Sequence, residues 1–391
     1  MSRELIDHNP DLAKLWNEGF AISIHNNELL VHHVPYVTTE KKVRTDGVLV
    51  SELNLNANKT TAPAHTIFFA GEYPCKADGT EHPQIINKNK RVVYPGVEIT
   101  CQFSSKKVPD YVDYYDKITT YVNMLTGQAQ ALKDGVSAQT FQIIESKEEN
   151  PVFHYIDTNS GRAEINPVTD KLRGQKIAII GMGGTGSYIL DFIAKTPVAE
   201  IHLFDGDDFV QHNAFRAPGA ASIDDLRFHY KKTDYFQSIY SKMHRYIYSH
   251  PCFLFPENLN QLEGMSFVFV AVDNGQVRKM LFNWLIDHNI PFIDTGIGLD
   301  EKKEVNTING MVRTSLSIIG KSEHMFSRVS FKDGDNIYDQ NIQVADLNAL
   351  NAVFAVIKWK KLFKFYQDND NELNNVYIIE ASEIINDETA A

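Results

Sequence analysis

Residues 176–186 read KIAIIGMGGTG, and this stretch decides the fold of the second half of the chain. Its apolar run predicts a buried β-strand, and its glycine-rich end predicts a tight turn into the helix SYILDFIAKT that follows. Without β-carbons, such a turn lets backbone N–H groups approach a phosphate at the positive end of a helix. The pattern predicts a nucleotide-binding turn, with a ligand-free strand-to-helix turn as the alternative. Its glycines are Gly181, Gly183, Gly184 and Gly186.

Strand-like and helix-like segments alternate downstream of this turn. The predicted strands are AEIHLFD at 199–205, FLF at 253–255, MSFVFVAVD at 265–273, PFIDTG at 291–296 and NGMVRTSLSII at 309–319. The predicted helices are YFQSIYSKMHRYIYSH at 235–250, VRKMLFNWLIDHN at 277–289 and a long helix at 344–366, with an apolar face that includes Leu347, Leu350, Phe354 and Ile357. This order is typical of the α/β class, with a Rossmann-like, mostly parallel sheet and flanking helices. The acidic stretch at 367–375 and the tail at 386–391 predict a loop and a frayed end.

The first half of the chain is different, with short β-type runs separated by turn residues. These runs are FAISI at 20–24, ELLVHHVPYV at 28–37, GVLVSELNL at 47–55, HTIFFAG at 65–71 and VVYPGVEITCQF at 92–103. A helical period begins near Pro109, and two more strands are predicted, FQIIES at 141–146 and FHYID at 153–157. We therefore predict a separate α+β, β-rich N-terminal domain over 1–160 and an α/β domain over 161–391.

Length and composition are consistent with two domains, because the chain has 391 residues, of which 43% are hydrophobic. A net charge of −12 gives no general attraction for nucleic acid or anionic lipid, so we expect neither as a partner. The three cysteines, Cys75, Cys101 and Cys252, include no C-x-x-C pair, which argues against a disulfide framework and a four-cysteine zinc site. We find no secretory signal and no bilayer-spanning run, so we expect a cytoplasmic protein.

The strand that follows the glycine-rich turn ends in a carboxylate. Asp205 lies twenty-four residues after Gly181, at the position where a ribose hydroxyl pair is held in dinucleotide-binding folds. After Asp205 the chain carries polar residues that the dinucleotide-binding pattern of a dehydrogenase does not account for. They are Asp207, Asn213, Arg216, the pair Lys231 and Lys232, Asp273, Asn274 and Arg278.

These motifs resemble those of the ThiF-type adenylyltransferases, the superfamily of ubiquitin-activating-enzyme-like proteins. The resemblance covers roughly residues 162–366. It implies ATP and Mg²⁺ as cofactors, and attack of a carboxylate on the α-phosphorus of ATP with loss of pyrophosphate. Because that reaction concentrates negative charge, the site must supply cations, a metal and oriented amides rather than a covalent catalyst.

The resemblance also implies a role for individual residues. The implied ATP-binding residues are Gly181, Gly183, Gly184, Gly186, Asp205, Asp207, Asn213, Arg216, Lys232, Asp273 and Asn274. The implied catalytic residues are Arg216, Lys232, Asp273 and Arg162, and Asp273 is also the implied metal ligand. Three alternatives stay open: solvated loop acids for Asp207 and Asp208, a solvent-facing helix start for Lys231 and Lys232, and a helix cap for Asn274.

One implied residue acts across a subunit boundary. In relatives, an arginine that lies before the first strand of the nucleotide domain reaches into the phosphate site of the neighbouring subunit. Arg162 is the first candidate here and Arg173 the second, with a surface arginine in a linker as the alternative. The resemblance therefore implies a homodimer.

The sequence departs from the family pattern where a thioester-forming cysteine is expected. Ubiquitin-activating relatives often carry that cysteine after the strand-end aspartate, whereas the last cysteine here, Cys252, precedes Asp273. The adenylate would then pass directly to a partner, or a hydroxyl of Ser327 or Ser330 near His324 would replace the thiol. In place of the cysteine loop stands YDQNIQ at 338–343, whose amides suit the backbone of an extended peptide.

We therefore expect ATP-dependent adenylation of the C-terminal carboxylate of a ubiquitin-like or sulfur-carrier protein, as the first step of a bacterial conjugation or sulfur-transfer route. A ubiquitin-conjugating-type enzyme is a further candidate partner, and the N-terminal domain is expected to recruit the protein substrate or the next carrier. Three alternatives stay open. They are an NAD-dependent oxidoreductase, a non-catalytic nucleotide-binding adaptor, and an enzyme that adenylates a small molecule or an RNA base.

Overall fold

The structure is a computed structural model that describes residues 2–88, 91–94, 97–142, 151–163, 165–331 and 342–389. The chain divides into two compact units. The first contains the described parts of 1–144 and 158–164, and the second contains the described parts of 145–157 and 165–391.

The first unit is built on an antiparallel sheet. Its helices are α1 (Ser2–Asp7), α2 (Pro10–Asn17), α3 (Tyr114–Gln130) and α4 (Thr158–Arg162). Its strands are β1 (Ala21–His25), β2 (Glu28–Val37), β3 (Val43–Glu52), β4 (Leu55–Asn56), β5 (Lys59–Thr60), β6 (Thr66–Ala70), β7 (Ile85–Asn87), β8 (Arg91–Tyr94) and β9 (Val97–Ser104). The main sheet has the order β1-β2-β3-β6-β9-β7, with β8 also paired to β9, while β4 and β5 pair separately. The expectation of a β-rich N-terminal half is confirmed.

Helix α3 packs its apolar face against this sheet. The helical period predicted from Pro109 begins at Tyr114, because Asp113 caps the helix and its carboxylate accepts the N–H of Asp116 at 2.8 Å. The core that α3 and the sheet share includes the fully buried side chains of Ile118, Tyr121, Phe69 and Phe103.

The second unit is an eight-stranded sheet with helices. Its helices are α5 (Asn166–Thr169), α6 (Gly184–Ile193), α7 (Gln211–Ala214), α8 (Ile223–Arg227), α9 (Lys232–Tyr240), α10 (Gly275–Asp287), α11 (Met325–Arg328) and α12 (Ala345–Leu362), with 3-10 turns at Asp170–Leu172 and Pro256–Leu262. Its strands are β10 (Lys176–Ile180), β11 (Glu200–Phe204), β12 (Ile247–His250), β13 (Phe267–Val270), β14 (Phe292–Lys302), β15 (Thr307–Ser317), β16 (Glu372–Ile378) and β17 (Glu383–Thr389).

Strand order in this sheet is β12-β11-β10-β13-β14-β15-β16-β17. The pairs from β12 to β14 are parallel, and those from β14 to β17 are antiparallel. The predicted Rossmann-like, mostly parallel sheet is confirmed. Since parallel strands end at the same edge, the residues that follow β10, β11 and β13 all lie at the carboxyl edge of the sheet, where ligands bind in this architecture.

Two predicted strands and the end of one predicted helix are wrong. The segment predicted as a helix over 235–250 ends as α9 at Tyr240, and its last residues form β12, which pairs with β11 through Ile247 and Ile201. The predicted strand FLF at 253–255 is a loop, and Phe253 and Phe255 are more than half exposed. The segment FHYID makes isolated bridges only, such as that of Phe153 with His244, and most of FQIIES lies outside the described residues.

The predicted loop at 367–375 and the predicted frayed tail at 386–391 are partly wrong, because residues 372–375 and 386–389 belong to a hairpin, whereas residues 367–371 do lie in a loop. Strands β16 and β17 pair antiparallel and extend the sheet beyond β15. Polar side chains conceal this strand pattern in the sequence. Asn374 is buried on β16, where its Oδ1 accepts from Ser315 Oγ and its Nδ2 donates to Asp387 Oδ1.

Helix α12 buries a face different from the predicted one. Leu347, Leu350 and Phe354 are only partly buried, and Ile357 is exposed. The buried residues are Asn348, Asn351, Ala352, Ala355, Val356, Lys358 and Trp359. Small and amide side chains fill this face because α12 lies close against α6 and the sheet, so apolar periodicity identifies the wrong side. Among the described helices, none is both long and apolar enough to cross a bilayer.

Candidate functional site

The glycine-rich turn lies between β10 and α6 and is tightly packed on three of its glycines. Gly181 has φ +91°, and a β-carbon there would lie 2.5 Å from the carbonyl oxygen of Ala271. A β-carbon at Gly186 would meet the Gly181 carbonyl oxygen, and one at Gly184 would meet the Asn348 amide. Gly183, the N-cap of α6, has no atom near its missing β-carbon. The helix N-terminus is therefore open at Gly183, where backbone N–H groups can meet an anion.

Asp205 joins the end of β11 to this turn. Its Oδ2 accepts the backbone N–H of Met182 at 2.7 Å, and its Oδ1 accepts that of Asp207 at 2.9 Å. Burial raises the pKa of Asp205, and the nearby Lys232 ammonium opposes that rise. The carboxylate is thus held by backbone donors directly beside the glycine-rich turn.

Two lysines in sequence have different surroundings. Lys232 is the first residue of α9 and is buried, and its Nζ lies 2.6 Å from Asp207 Oδ2 and 3.6 Å from Asp205 Oδ2. Lys231 is much more exposed, and its Nζ lies 2.8 Å from Asp208 Oδ1. Lys232 is therefore the lysine whose ammonium group the fold brings beside Asp205.

Asn213 and Arg216 contribute buried donors. Asn213 is almost fully buried in α7, and its Oδ1 accepts the N–H of Val210 at 2.9 Å. Among the described residues, neither Asn213 Nδ2 nor Arg216 Nε has a hydrogen-bond partner, although both atoms are buried. Buried donors without acceptors are rare, because each costs about 1–3 kcal/mol. Both donors could therefore bond to an oxygen atom of a ligand.

Asp273 and Asn274 follow β13 at the same edge of the sheet, and both are exposed. Asn274 is the N-cap of α10, and its Oδ1 accepts the N–H of Val277 at 2.8 Å. Its side-chain oxygen therefore caps the helix, as the alternative interpretation of this residue predicts. The described residues contain no group of three or more His, Cys, Asp or Glu side chains that could hold a metal. Mg²⁺ commonly binds through one or two carboxylates and substrate phosphates, and the single carboxylate of Asp273 is compatible with that pattern.

Arg278, on the first turn of α10, ties neighbouring segments together. Its guanidinium donates to the carbonyls of Val272 and Ser330, and its Nε lies 3.0 Å from Asp294 Oδ1. Asp294 is fully buried and also pairs with Arg313. This pair of arginines around a buried carboxylate fixes the backbone directly before Asp273.

The three thiols and the Ser327 hydroxyl lie in settings that do not favour nucleophilic attack. Burial raises the pKa of each thiol, that of Cys101 to about 12 and those of Cys75 and Cys252 by less. The Ser327 hydroxyl donates to the main-chain carbonyl of His324, and His324 Nε2 lies 2.9 Å from the Leu316 carbonyl. The described contacts therefore do not pair the Ser327 hydroxyl with the His324 ring.

Some predicted residues are only partly described. Arg162 ends α4, but its side chain lies outside the described part of the structure. Arg173 is exposed and its Nε lies 2.5 Å from Asp170 Oδ1. Of the segment YDQNIQ at 338–343, residues 338–341 lie outside the described residues.

One residue of the site region was not predicted from the sequence. Asn348, in the first turns of α12, is fully buried against the glycine-rich turn and contacts both Thr185 and the Arg216 carbonyl. Its sequence signal is weak, since it consists of two asparagines, Asn348 and Asn351, within an otherwise apolar helix.

Two family models match successive parts of the chain. The ThiF family matches residues 159–386, more than half of the chain. The chain belongs to the ThiF family. Residues 10–158 match a second family, a domain of unknown function designated DUF6791. Membership of the ThiF family supports ATP-dependent adenylation of a peptide or protein C-terminus as the general chemistry.

The solved structures that the chain resembles include E. coli MccB and PaaA. E. coli MccB with AMPCPP and MccA is 18% identical at a TM-score of 0.48, over 60% of this chain and 72% of that one. The microcin C7 biosynthetic enzyme MccB with N-formylated MccA is 18% identical at a TM-score of 0.49, over 59% and 70%. PaaA is 16% identical at a TM-score of 0.47, over 78% and 97%. No curated protein matches the chain.

Proposed function

We propose that this protein uses ATP to adenylate the C-terminal carboxylate of a small ubiquitin-like or sulfur-carrier protein. The observation that carries the proposal is the pair of buried donors on Asn213 and Arg216 that have no acceptor in the described part of the chain. They belong to the same family domain as the open helix end at Gly183 and the buried carboxylate of Asp205. Together these groups offer donors for phosphates and an acceptor for ribose hydroxyls.

The proposed reaction balances without a base or a redox partner. A carboxylate oxygen of the substrate forms a bond to the α-phosphorus of ATP, and the bond from that phosphorus to the bridging oxygen of pyrophosphate breaks. Pyrophosphate leaves with the electron pair, and an acyl adenylate remains. Arg216 and Lys232 are proposed to neutralise the charge that develops on the phosphate oxygens. Asp273 would hold Mg²⁺, which would supply further neutralisation of the phosphate charge.

We further propose that the acyl group of the adenylate passes directly to a nucleophile on a partner protein, such as a ubiquitin-conjugating-type enzyme, and that AMP leaves with the electron pair of the broken acyl–oxygen bond. Two observations support direct transfer over an enzyme-bound ester or thioester. All three thiols have raised pKa values, and the Ser327 hydroxyl is bonded to a main-chain carbonyl. The homodimer and the contribution of Arg162 to the neighbouring phosphate site belong to the same proposal.

Pyrophosphate–ATP exchange tests the adenylation step. The full chain is assayed with radiolabelled pyrophosphate, ATP and a panel of ubiquitin-like and sulfur-carrier proteins, each with and without its C-terminal residue. We expect exchange that depends on an intact C-terminus and falls about a hundredfold or more in Asp273→Ala. Asp300→Ala is the matched control, because Asp300 is an exposed carboxylate that pairs with Lys302 on the β14–β15 hairpin.

The results of the exchange assay distinguish the metal role of Asp273, the substrate class and the proposed activity. Exchange that survives Asp273→Ala would remove the metal role of Asp273, while leaving adenylation in place. Exchange with short peptides but with none of the carrier proteins would narrow the substrate class to peptides. ATP binding without exchange for any carboxyl-terminal substrate, or reduction of NAD, would overturn the proposed activity.

A further inference from the structure

The side chain of Asn348 on helix α12 packs against the glycine-rich turn. Asn348 has no exposed surface, and a β-carbon placed at Gly184 would lie 2.1 Å from its Nδ2. The glycine at position 184 is therefore required by Asn348 itself, because any side chain there would displace the amide. This contact joins the glycine-rich turn to a helix that lies far away in the sequence.

Both ends of the Asn348 amide are used. Thr185 Oγ1 donates to Asn348 Oδ1 at 3.0 Å, and Asn348 Nδ2 donates to the main-chain carbonyl of Arg216 at 3.4 Å. Thr185 belongs to the first turn of α6, and Arg216 follows α7. One buried carboxamide thus connects the two segments that are proposed to hold the phosphates from different sides.

Packing against Gly184 does not by itself require an amide at position 348. A small apolar side chain would pack against Gly184 without desolvating a polar group, and burying an amide costs free energy unless both of its ends are bonded. The Arg216 side chain does not fix this segment through its Nε, since that atom has no hydrogen-bond partner among the described residues. The Arg216 N–H donates locally to the Asn213 carbonyl at 3.1 Å, and the bond from Asn348 to the Arg216 carbonyl connects this backbone to the glycine-rich turn.

We propose that Asn348 is a positioning residue for ATP, which holds the glycine-rich turn and Arg216 at the separation that the phosphates require. This role rests on the proposed function and extends it to the C-terminal helix. Asn348 does not touch the reacting atoms; it acts through Thr185 and Arg216.

The first test compares two asparagines of the same helix. Asn348→Ala removes the bridge, and Asn351→Ala removes an equally buried amide whose Nδ2 donates to the Gly296 carbonyl at 3.2 Å. ATP affinity is measured by calorimetry without protein substrate, and thermal unfolding is measured for both variants. We expect Asn348→Ala to weaken ATP binding about tenfold or more, and Asn351→Ala to weaken it much less at a comparable loss of Tm.

A second test uses the hydroxyl partner. Thr185→Val removes the donor, whereas Thr185→Ser keeps it, so we expect the serine variant to recover most of the ATP affinity that the valine variant loses. In a double-mutant cycle, Thr185→Val should add little to Asn348→Ala, because both remove the same bond. In pyrophosphate exchange, the loss should fall mainly on the KM for ATP.

The possible failures are distinguishable. Wild type that binds no ATP would overturn the proposed function and the positioning role together. Wild type that binds ATP, with Asn348→Ala unchanged or with both asparagine variants weakened in step with their Tm, would overturn the positioning role alone. Additive effects of the Thr185 and Asn348 variants would do the same.

Discussion

The Lys232 ammonium lies 2.6 Å from the Asp207 carboxylate, although the lysine is buried and the aspartate is not. The Asp207 carboxylate therefore occupies the position at which a phosphate of ATP is proposed to contact Lys232. Its side chain is more than half exposed, whereas the second carboxylate near Lys232, that of Asp205, is buried and bonded to backbone N–H groups. A ligand can therefore displace the Asp207 carboxylate from Lys232 more easily than the Asp205 carboxylate.

Replacing Asp207 should strengthen ATP binding. Asp207→Asn removes the anion that competes for Lys232 and lowers the repulsion felt by phosphates, so we expect ATP affinity to rise about two- to fivefold. Asp208→Asn is the matched control, because Asp208 pairs with Lys231 instead. Calorimetry at low salt measures both. A loss of affinity in Asp207→Asn would instead make Asp207 a direct ligand of the nucleotide or its metal.

The sequence predicts the carboxyl edge of the parallel sheet well, because local rules govern it. A strand, a glycine-rich turn and a helix follow one another within twenty residues, and Gly181 needs no distant information to be recognised as a turn residue with positive φ. Asp205 is likewise placed by the end of its own strand.

Features that depend on distant contacts are not predictable in this way. The buried face of α12 is set by its approach to Gly184, so Asn348 is inside and Ile357 is exposed, against the apolar pattern. Strand β16 is held by Ser315 and Asp387 through Asn374, and such cross-strand polar bonds leave no apolar alternation in the sequence.

Removing the cysteines should leave both adenylation and transfer intact. Burial raises the pKa of all three thiols, so thiolate is scarce at neutral pH and a thioester on the enzyme is not expected. We expect pyrophosphate exchange close to wild type in Cys75→Ala, Cys101→Ala and Cys252→Ala, singly and combined. Mass spectrometry of the enzyme with ATP and substrate should show no thiol-sensitive adduct. An adduct that disappears in one of these variants would identify a thioester site.

Lys117 should reduce the stability of the first unit at neutral pH. Its ammonium is fully buried on α3 and donates to Ser51 Oγ at 2.7 Å, and burial lowers its pKa to about 8. Because the folded pKa lies below the unfolded value, the cost is fully present below pH 8 and disappears as the pH rises toward about 10.4. Lys117→Met should therefore raise the free energy of unfolding by roughly 2–4 kcal/mol at pH 7 and by little at pH 10.5.

Urea unfolding at the two pH values measures this difference, and hydrogen exchange of the α3 amides reports on the first unit. Lys133→Met is the control, because Lys133 is exposed in the same unit. Ser51 keeps a partner in Lys117→Met, since its hydroxyl also donates to the Glu52 carbonyl. A stabilisation that is equal at both pH values would show that packing, rather than the buried charge, accounts for the effect.

Mixing two inactive variants tests whether Arg162 completes the phosphate site of a neighbouring subunit. Arg162→Ala and Asp273→Ala should each abolish exchange as homodimers. In a heterodimer of the two, one site has both an intact Asp273 and the arginine of its partner, so an equimolar mixture should recover about one quarter of the wild-type rate. Arg173→Ala, which removes an exposed arginine paired with Asp170, should stay active alone. No recovery despite subunit exchange, verified by mass spectrometry of the intact dimers, would place Arg162 in its own subunit's site or outside the site altogether.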